Sequence, residues 1–228
     1  MKNKSLGEDV LSCLIEGNKR FQSGLRSVQS MATPEKLKVL AQNGQNPKCI
    51  ILACSDSRVP AEMIFDQGLG DLFVIRVAGN VVAPSLIASM EFAAANFGSP
   101  LIMVLGHTRC GAIQAACSHK LKPQAAPSKN LEDLIKRLTP AADKCFQIDS
   151  ENSSYIEATT RENVRNSIHE ILKNSAIISN KFENGEISIV GAVFELDSGR
   201  VVIDDTPYSY FPEQIITSRA NNATTSLA

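Results

Sequence analysis

The 228-residue chain has no tryptophan, three tyrosines and three histidines. No apolar run comes near the roughly 20 residues of a membrane-spanning helix, so a membrane partner is not expected. The first residues alternate charged and apolar side chains. They lack both the apolar stretch and the small-residue cleavage site of a secretory signal. Nor is there an excess of charge of one sign. Twenty-three Lys and Arg face 24 Asp and Glu, for a net charge of -1 and a pI near 6.3, and the basic residues are scattered. That balance excludes the electrostatic footprint of a nucleic-acid binder and points to a small-molecule partner. Six cysteines are too few for a disulfide scaffold in a chain this long. In a reducing compartment they read as metal ligands or core residues, and a cytoplasmic location is the expectation.

With 43% hydrophobic residues, the chain can bury one full core. A single domain is expected over residues 1–217, with an N-terminal helical arm over 1–44 and a small, polar, disordered tail over 218–228. Val10, Leu11, Leu14, Ile15 and Phe21 recur at helical spacing and stop at Gly24. Thr33-Pro34 then opens a second helix. Cys49-Ile50-Ile51-Leu52-Ala53, Leu72-Phe73-Val74-Ile75-Arg76 and Leu101-Ile102-Met103-Val104-Leu105 are short, nearly continuous apolar runs, the pattern of strands covered on both faces. A helix over 85–97, with a capping serine and a closing Gly98, makes the last two a parallel strand-helix-strand crossover. Residues 119–129 read as a surface loop. Leu131, Leu134, Ile135 and Leu138 mark a further helix, and Val164, Ile168, Ile171 and Leu172 a longer one. A strand over 187–196, a tight turn at Asp197-Ser198-Gly199 and a strand over 201–203 follow. The fold class is α/β, with a mainly parallel central sheet flanked by helices.

Two segments about fifty residues apart stand just after apolar runs: Cys54-Ser55-Asp56-Ser57-Arg58 and Gly106-His107-Thr108-Arg109-Cys110-Gly111. In an open parallel sheet both would lie beyond the strand C-terminal ends, where such folds place their sites. Cys54, His107 and Cys110 offer two sulfurs and one nitrogen, a set suited to zinc, and three protein ligands leave a fourth tetrahedral position free. Two thiolates cancel the ion's charge, so a bound water is less acidified than on a three-histidine site. Something nearby must then manage its proton. Asp56 and Arg58 suit that task, the arginine fixing the carboxylate and keeping it ionised. The competing readings are a closed structural zinc with a fourth ligand, or unrelated core cysteines. Closed zinc sites usually pair two knuckles in a small loop-rich module, which this large α/β pattern does not resemble. Of the other cysteines, Cys13, Cys49, Cys117 and Cys145 read as buried, inert thiols.

The string Ala53-Cys54-Ser55-Asp56-Ser57-Arg58-Val59-Pro60 followed by Gly106-His107-Thr108-Arg109-Cys110-Gly111 resembles the β-class carbonic anhydrases. Asp71-Leu72-Phe73-Val74-Ile75-Arg76 and the Gly79-Asn80 turn between them match as well, so the likeness spans at least residues 1–205. The resemblance implies reversible hydration of carbon dioxide to bicarbonate and a proton by zinc-bound hydroxide, with one Zn2+ per subunit held by Cys54, His107 and Cys110. It implies Asp56 and Arg58 as the catalytic dyad, an antiparallel edge strand on the parallel sheet, and N-terminal helices wrapped around a partner in an obligate homodimer, with a tetramer as a further option.

The family's plant-like active-site style uses a glutamine, a phenylalanine and a tyrosine in the substrate pocket. Gln45, nine residues before Cys54, and Phe73, nineteen after it, match; Phe92, fifteen before His107, stands where the tyrosine is expected. The bicarbonate-gated style needs a tryptophan that the chain does not have. The resemblance therefore implies the open form, with Gln45, Phe73, Phe92 and Gly111 at the substrate and Asp56 paired to Arg58. His119 and His169 are candidates for proton shuttling by chemistry alone. Two alternatives stay open: hydrolysis of carbonyl sulfide or carbon disulfide on the same scaffold, and a non-catalytic zinc and thiol redox sensor in which Cys54 and Cys110 cycle.

Overall fold

The computed structural model describes residues 6–27, 32–146 and 152–204. The expected tail over 218–228 and the end of the expected domain lie outside the described residues. Among these, no helix is long and apolar enough to cross a membrane.

Five strands form one sheet in the order β2-β1-β3-β4-β5. They are β1 (Cys49–Ala53), β2 (Leu72–Arg76), β3 (Leu101–His107), β4 (Ser188–Phe194) and β5 (Val201–Ile203). The first four are mutually parallel, and β5 returns antiparallel on β4 through the turn at Asp197 to Gly199. This is the mixed sheet with an antiparallel edge that the resemblance implied. The helices are α1 (Leu6–Gln22), α2 (Pro34–Asn43), α3 (Ala61–Ile64), α4 (Pro84–Asn96), α5 (Gly111–Leu121), α6 (Lys129–Phe146), α7 (Asn152–Asn174) and α8 (Ala176–Glu183).

Because side chains alternate across a pleated strand, each apolar run feeds two cores. Ile50, Leu52, Ile102, Val104 and Ile189 point to the side covered by α4, α7 and α8, where they meet Met90, Val164, Ile168 and Ile178. Cys49, Ile51, Leu101, Met103 and Val190 point to the side covered by α1 and α3, where they meet Leu14, Ile64 and Phe65. Helix α7 comes unusually close to the sheet, since a Cβ at either Gly106 or Gly191 would lie 2.8 Å from a Val164 methyl. A third core, at the C-terminal end of the sheet, joins Cys54 and Cys110 to α5, α6 and α7 through Ile113, Leu138, Ala142 and Tyr155.

Helix α1 is tied down by polar side chains as well as by Leu14. The Asn18 amide donates to the carbonyls of Ile64 (3.2 Å) and Gly199 (2.9 Å), and its oxygen accepts from the Val201 N–H (2.9 Å). Asp66, whose side chain is fully buried, accepts from Arg20 Nε, Arg26 Nε and the Ser27 N–H.

Three expectations need correction. Cys13 is exposed, because the buried face of α1 runs through Gly7, Leu14, Gly17 and Asn18 instead. Helix α5 continues through His119 to Leu121, so the loop is shorter than the Pro- and Lys-rich composition suggested. Helix α4 opens on Pro84 after Ala83, with no side-chain cap from a serine. The short helices α3 and α8 were not anticipated.

Candidate metal centre

Strand β1 sends its crossover to β2 on one side, and β3 sends its crossover to β4 on the other. Their C-terminal ends therefore bound the crevice of a topological switch point. Register places Ala53 beside Leu105, so Cys54 leaves β1 as Gly106 and His107 complete β3. Cys110 then caps α5. The ligating atoms of Cys54, His107 and Cys110 all lie within 4.8 Å of one another, and all three residues are buried.

The donor set fits zinc. The Cys54 and Cys110 sulfurs are 3.9 Å apart, against about 3.8 Å for two thiolates bonded at about 2.3 Å around a tetrahedral ion. His107 Nδ1 lies 2.9 Å from the Thr108 carbonyl, which assigns that nitrogen the proton and leaves the Nε2 lone pair free to bind. His107 Nε2 is one of two buried side-chain polar atoms, among the described residues, that have no hydrogen-bond partner; the other is Asn80 Nδ2. Hydrogen bonding to Cys110 brings the Cys54 thiol down to about 4, and the same bond, with burial, pushes Cys110 up. A divalent cation would bind both sulfurs as thiolates, releasing protons as it does so.

Beside the ligands, Asp56 is clamped at both oxygens by Arg58: Nε to Oδ1 at 2.9 Å and Nη2 to Oδ2 at 2.7 Å, with the Arg58 N–H also on Oδ1 at 2.9 Å. These bonds hold the Asp56 carboxyl well below the usual carboxylate range. Arg58 Nη2 also reaches the Arg109 carbonyl at 3.3 Å, which joins the two motifs. Asp56 Oδ2 lies 3.9 Å from His107 Nε2, so the carboxylate stands at the edge of the ligand cluster.

The sequence reading missed Arg76. Its Nε donates to the Cys54 carbonyl at 2.9 Å and its Nη2 to the Asp56 carbonyl at 2.5 Å, which fixes the loop between ligand and dyad. The signal was a charge closing an otherwise apolar strand.

Of the expected substrate residues, Gly111 adjoins Cys110 at the start of α5, whereas Gln45, Phe73 and Phe92 stand away from this crevice within one chain. Gln45 is exposed in the loop before β1, at the opposite end of that strand from Cys54. Five strand residues separate those ends by about 16 Å. Phe73 pairs with Ile50 near the same far end. It stacks with Phe92 and Phe97 on the α4 side at centroid distances of 6.5 and 5.8 Å. Phe92 is 55% exposed. Gly111 opens α5 with nothing within 4 Å of where a Cβ would stand. His119 is half-buried on α5, and His169 is exposed on α7.

A family model described as carbonic anhydrase matches residues 49–201. Carbonic anhydrase 2 of Mycobacterium tuberculosis is 35% identical over 192 residues, 84% of this chain and 90% of that protein. The carbonic anhydrase of Pseudomonas aeruginosa is 31% identical over 82% of this chain and 84% of its own length. Among solved structures, the β-carbonic anhydrase CcaA superposes with a TM-score of 0.68 at 27% identity, covering 89% of this chain and 91% of that one. A motif pair, a sheet and a three-ligand cluster thus agree with the family match, and the chain belongs to the β-class carbonic anhydrases.

Proposed function

We propose that this protein catalyses the reversible hydration of carbon dioxide to bicarbonate and a proton, with one zinc ion held by Cys54, His107 and Cys110. The observation that carries this reading is the Arg58-clamped Asp56 placed 3.9 Å from the free nitrogen of His107. When bound, zinc would supply the Lewis acidity that makes a water nucleophilic near neutral pH. Asp56 Oδ2, at the edge of the ligand cluster, would be the acceptor for a hydrogen bond from such a water and would orient it toward the substrate carbon. Arg58 keeps the carboxylate anionic and fixed, and Arg76 holds the loop that carries it. At Gly111 the absence of a side chain leaves open space at the start of α5 for the substrate to approach.

Gln45, Phe73 and Phe92 are proposed to complete the pocket from a second copy in a homodimer, with dimers free to pair further. Support comes from their position. They lie a strand's length from the ligands of their own chain, and the three phenylalanines 73, 92 and 97 form a partly exposed aromatic patch. Gln45 would orient bicarbonate by donating a hydrogen bond, and the rings would supply apolar walls for carbon dioxide. The Asp56-Arg58 pair favours the open form of the centre.

Stopped-flow hydration of carbon dioxide on the zinc-loaded protein is the deciding experiment. Wild type is expected to exceed the uncatalysed rate by several orders of magnitude, and Asp56→Ala to fall by roughly 10²-fold or more with zinc retained. Cys54→Ser should lose the metal and the activity together. A wild type holding one zinc but showing no hydration between pH 7 and 9 would sink the reading. Turnover of carbon disulfide faster than hydration would transfer it to the sulfur analogues.

A further inference from the structure

Cys54 receives two backbone N–H groups at its sulfur, from Asp56 at 3.4 Å and from Gly79 at 3.3 Å. The Gly79 donor comes from a turn of two left-handed residues, Gly79 (φ 67°) and Asn80 (φ 42°), both of types that adopt this region readily. Its surroundings set the turn's exact aim. They do so from α7, more than eighty residues later in sequence. The buried Asn163 amide donates to the Gly79 carbonyl at 2.8 Å, and the buried Ser167 hydroxyl donates to the Asn80 carbonyl at 3.0 Å. The two side chains are one helical turn apart and so present one face to the turn. The helix itself has little freedom to shift, because Val164 seats against Gly106 and Gly191.

We infer that Asn163, assisted by Ser167, is a positioning residue for the metal thiolate: by holding the Gly79 carbonyl it aims the Gly79 N–H at Cys54 Sγ, and through that bond it sets how strongly Cys54 binds the ion. The inference rests on the metal set proposed above, Cys54, His107 and Cys110. An N–H bond to a thiolate withdraws electron density from sulfur and fixes its direction, as outer partners of metal ligands do generally. Losing the bond leaves a more electron-rich sulfur that is no longer aimed at the ion, and the lost direction is what weakens binding.

The test uses the full-length protein with zinc and, separately, with cobalt(II) in its place. Asn163→Leu removes the donor at nearly constant volume, and Asn163→Asp keeps the shape while replacing the donor with an acceptor. Both are expected to weaken zinc about 10- to 100-fold, measured by competition with a chromophoric chelator. Both should also move the thiolate-to-cobalt charge-transfer band to lower energy. Ser167→Ala should shift the band the same way by less, and it decides the matter if the Asn163 variants do not fold. Ile168→Val, a core substitution on the same helix, should lower stability yet leave the band in place. Unchanged zinc affinity and an unmoved band in the Asn163 and Ser167 variants would overturn the inference, and so would an equal shift in Ile168→Val. A wild type that binds cobalt but does not hydrate carbon dioxide would count against the proposed activity alone, and the band would still decide the role of Asn163.

Discussion

Arg58 shows how much one residue's geometry decides. It meets both oxygens of Asp56 with two parallel N–H bonds and uses the same terminal nitrogen on the Arg109 carbonyl, so a single planar fork joins the two ligand-bearing segments. A lysine has the charge without the fork. Arg58→Lys is therefore expected to retain zinc and lower kcat/KM by roughly 10- to 100-fold, because Asp56 stays ionised but loses its fixed direction. Metal content measured beside steady-state hydration checks this, and loss of zinc in the variant would mean that Arg58 supports the ligands rather than the dyad. The sign of the effect on Asp56 matters at this scale. Its folded-state value is lowered, chiefly by the bond to Arg58, so it is an anion throughout the neutral range and acts as an acceptor there.

Among the elements, α1 rests on two polar anchors, and they make an energetic prediction. Asp66 is itself in a left-handed conformation (φ 48°), which asparagine tolerates, so Asp66→Asn removes the charge with little backbone cost. It weakens the bonds to Arg20 and Arg26, both partly exposed, and a loss of about 2 kcal/mol is expected after allowing for solvent screening. The urea midpoint reports it, and an unchanged midpoint would show that Leu14 and Asn18 alone hold the helix. The elements also divide by how clearly the sequence announced them. Strands β1, β2 and β3 announced themselves as continuous apolar runs, α1 and α7 through apolar periodicity and α2 through its Thr33-Pro34 start, and the candidate metal ligands and Asp56-Arg58 pair stood in contiguous motifs at strand ends. Helix α3 has four residues, too few to display a period, and α8 has eight, with Ser175 as its cap. Arg76, Asn18 and Asn163 act through contacts 20 to 183 residues away in sequence, which no local pattern records. The spacing of Gln45 and Phe73 from Cys54 matched a family pattern but could not say at which end of the sheet they would stand.

For the whole molecule, the proposed sharing of the pocket between two copies can be tested by complementation. In a twofold dimer each centre would take its metal ligands from one copy and Gln45 from the other. Cys54→Ser and Gln45→Ala homodimers should each be impaired, whereas the mixed dimer would regain one intact centre, and its rate should exceed the sum of the parents. Activity no higher than that sum would place Gln45 outside the pocket or inside its own chain's centre. The Asn18 anchor bears on a different event, the order in which the molecule is made. Its partners include Gly199 and Val201, 181 and 183 residues further on, so α1 can be seated only after the β4-β5 hairpin has been made. A nascent chain that has emerged as far as Cys110 already carries the three candidate donors, yet it has neither Asn163 to brace the Gly79 turn nor the β4-β5 hairpin to receive α1. Synthesis thus supplies the three candidate donors well before the elements that close around them.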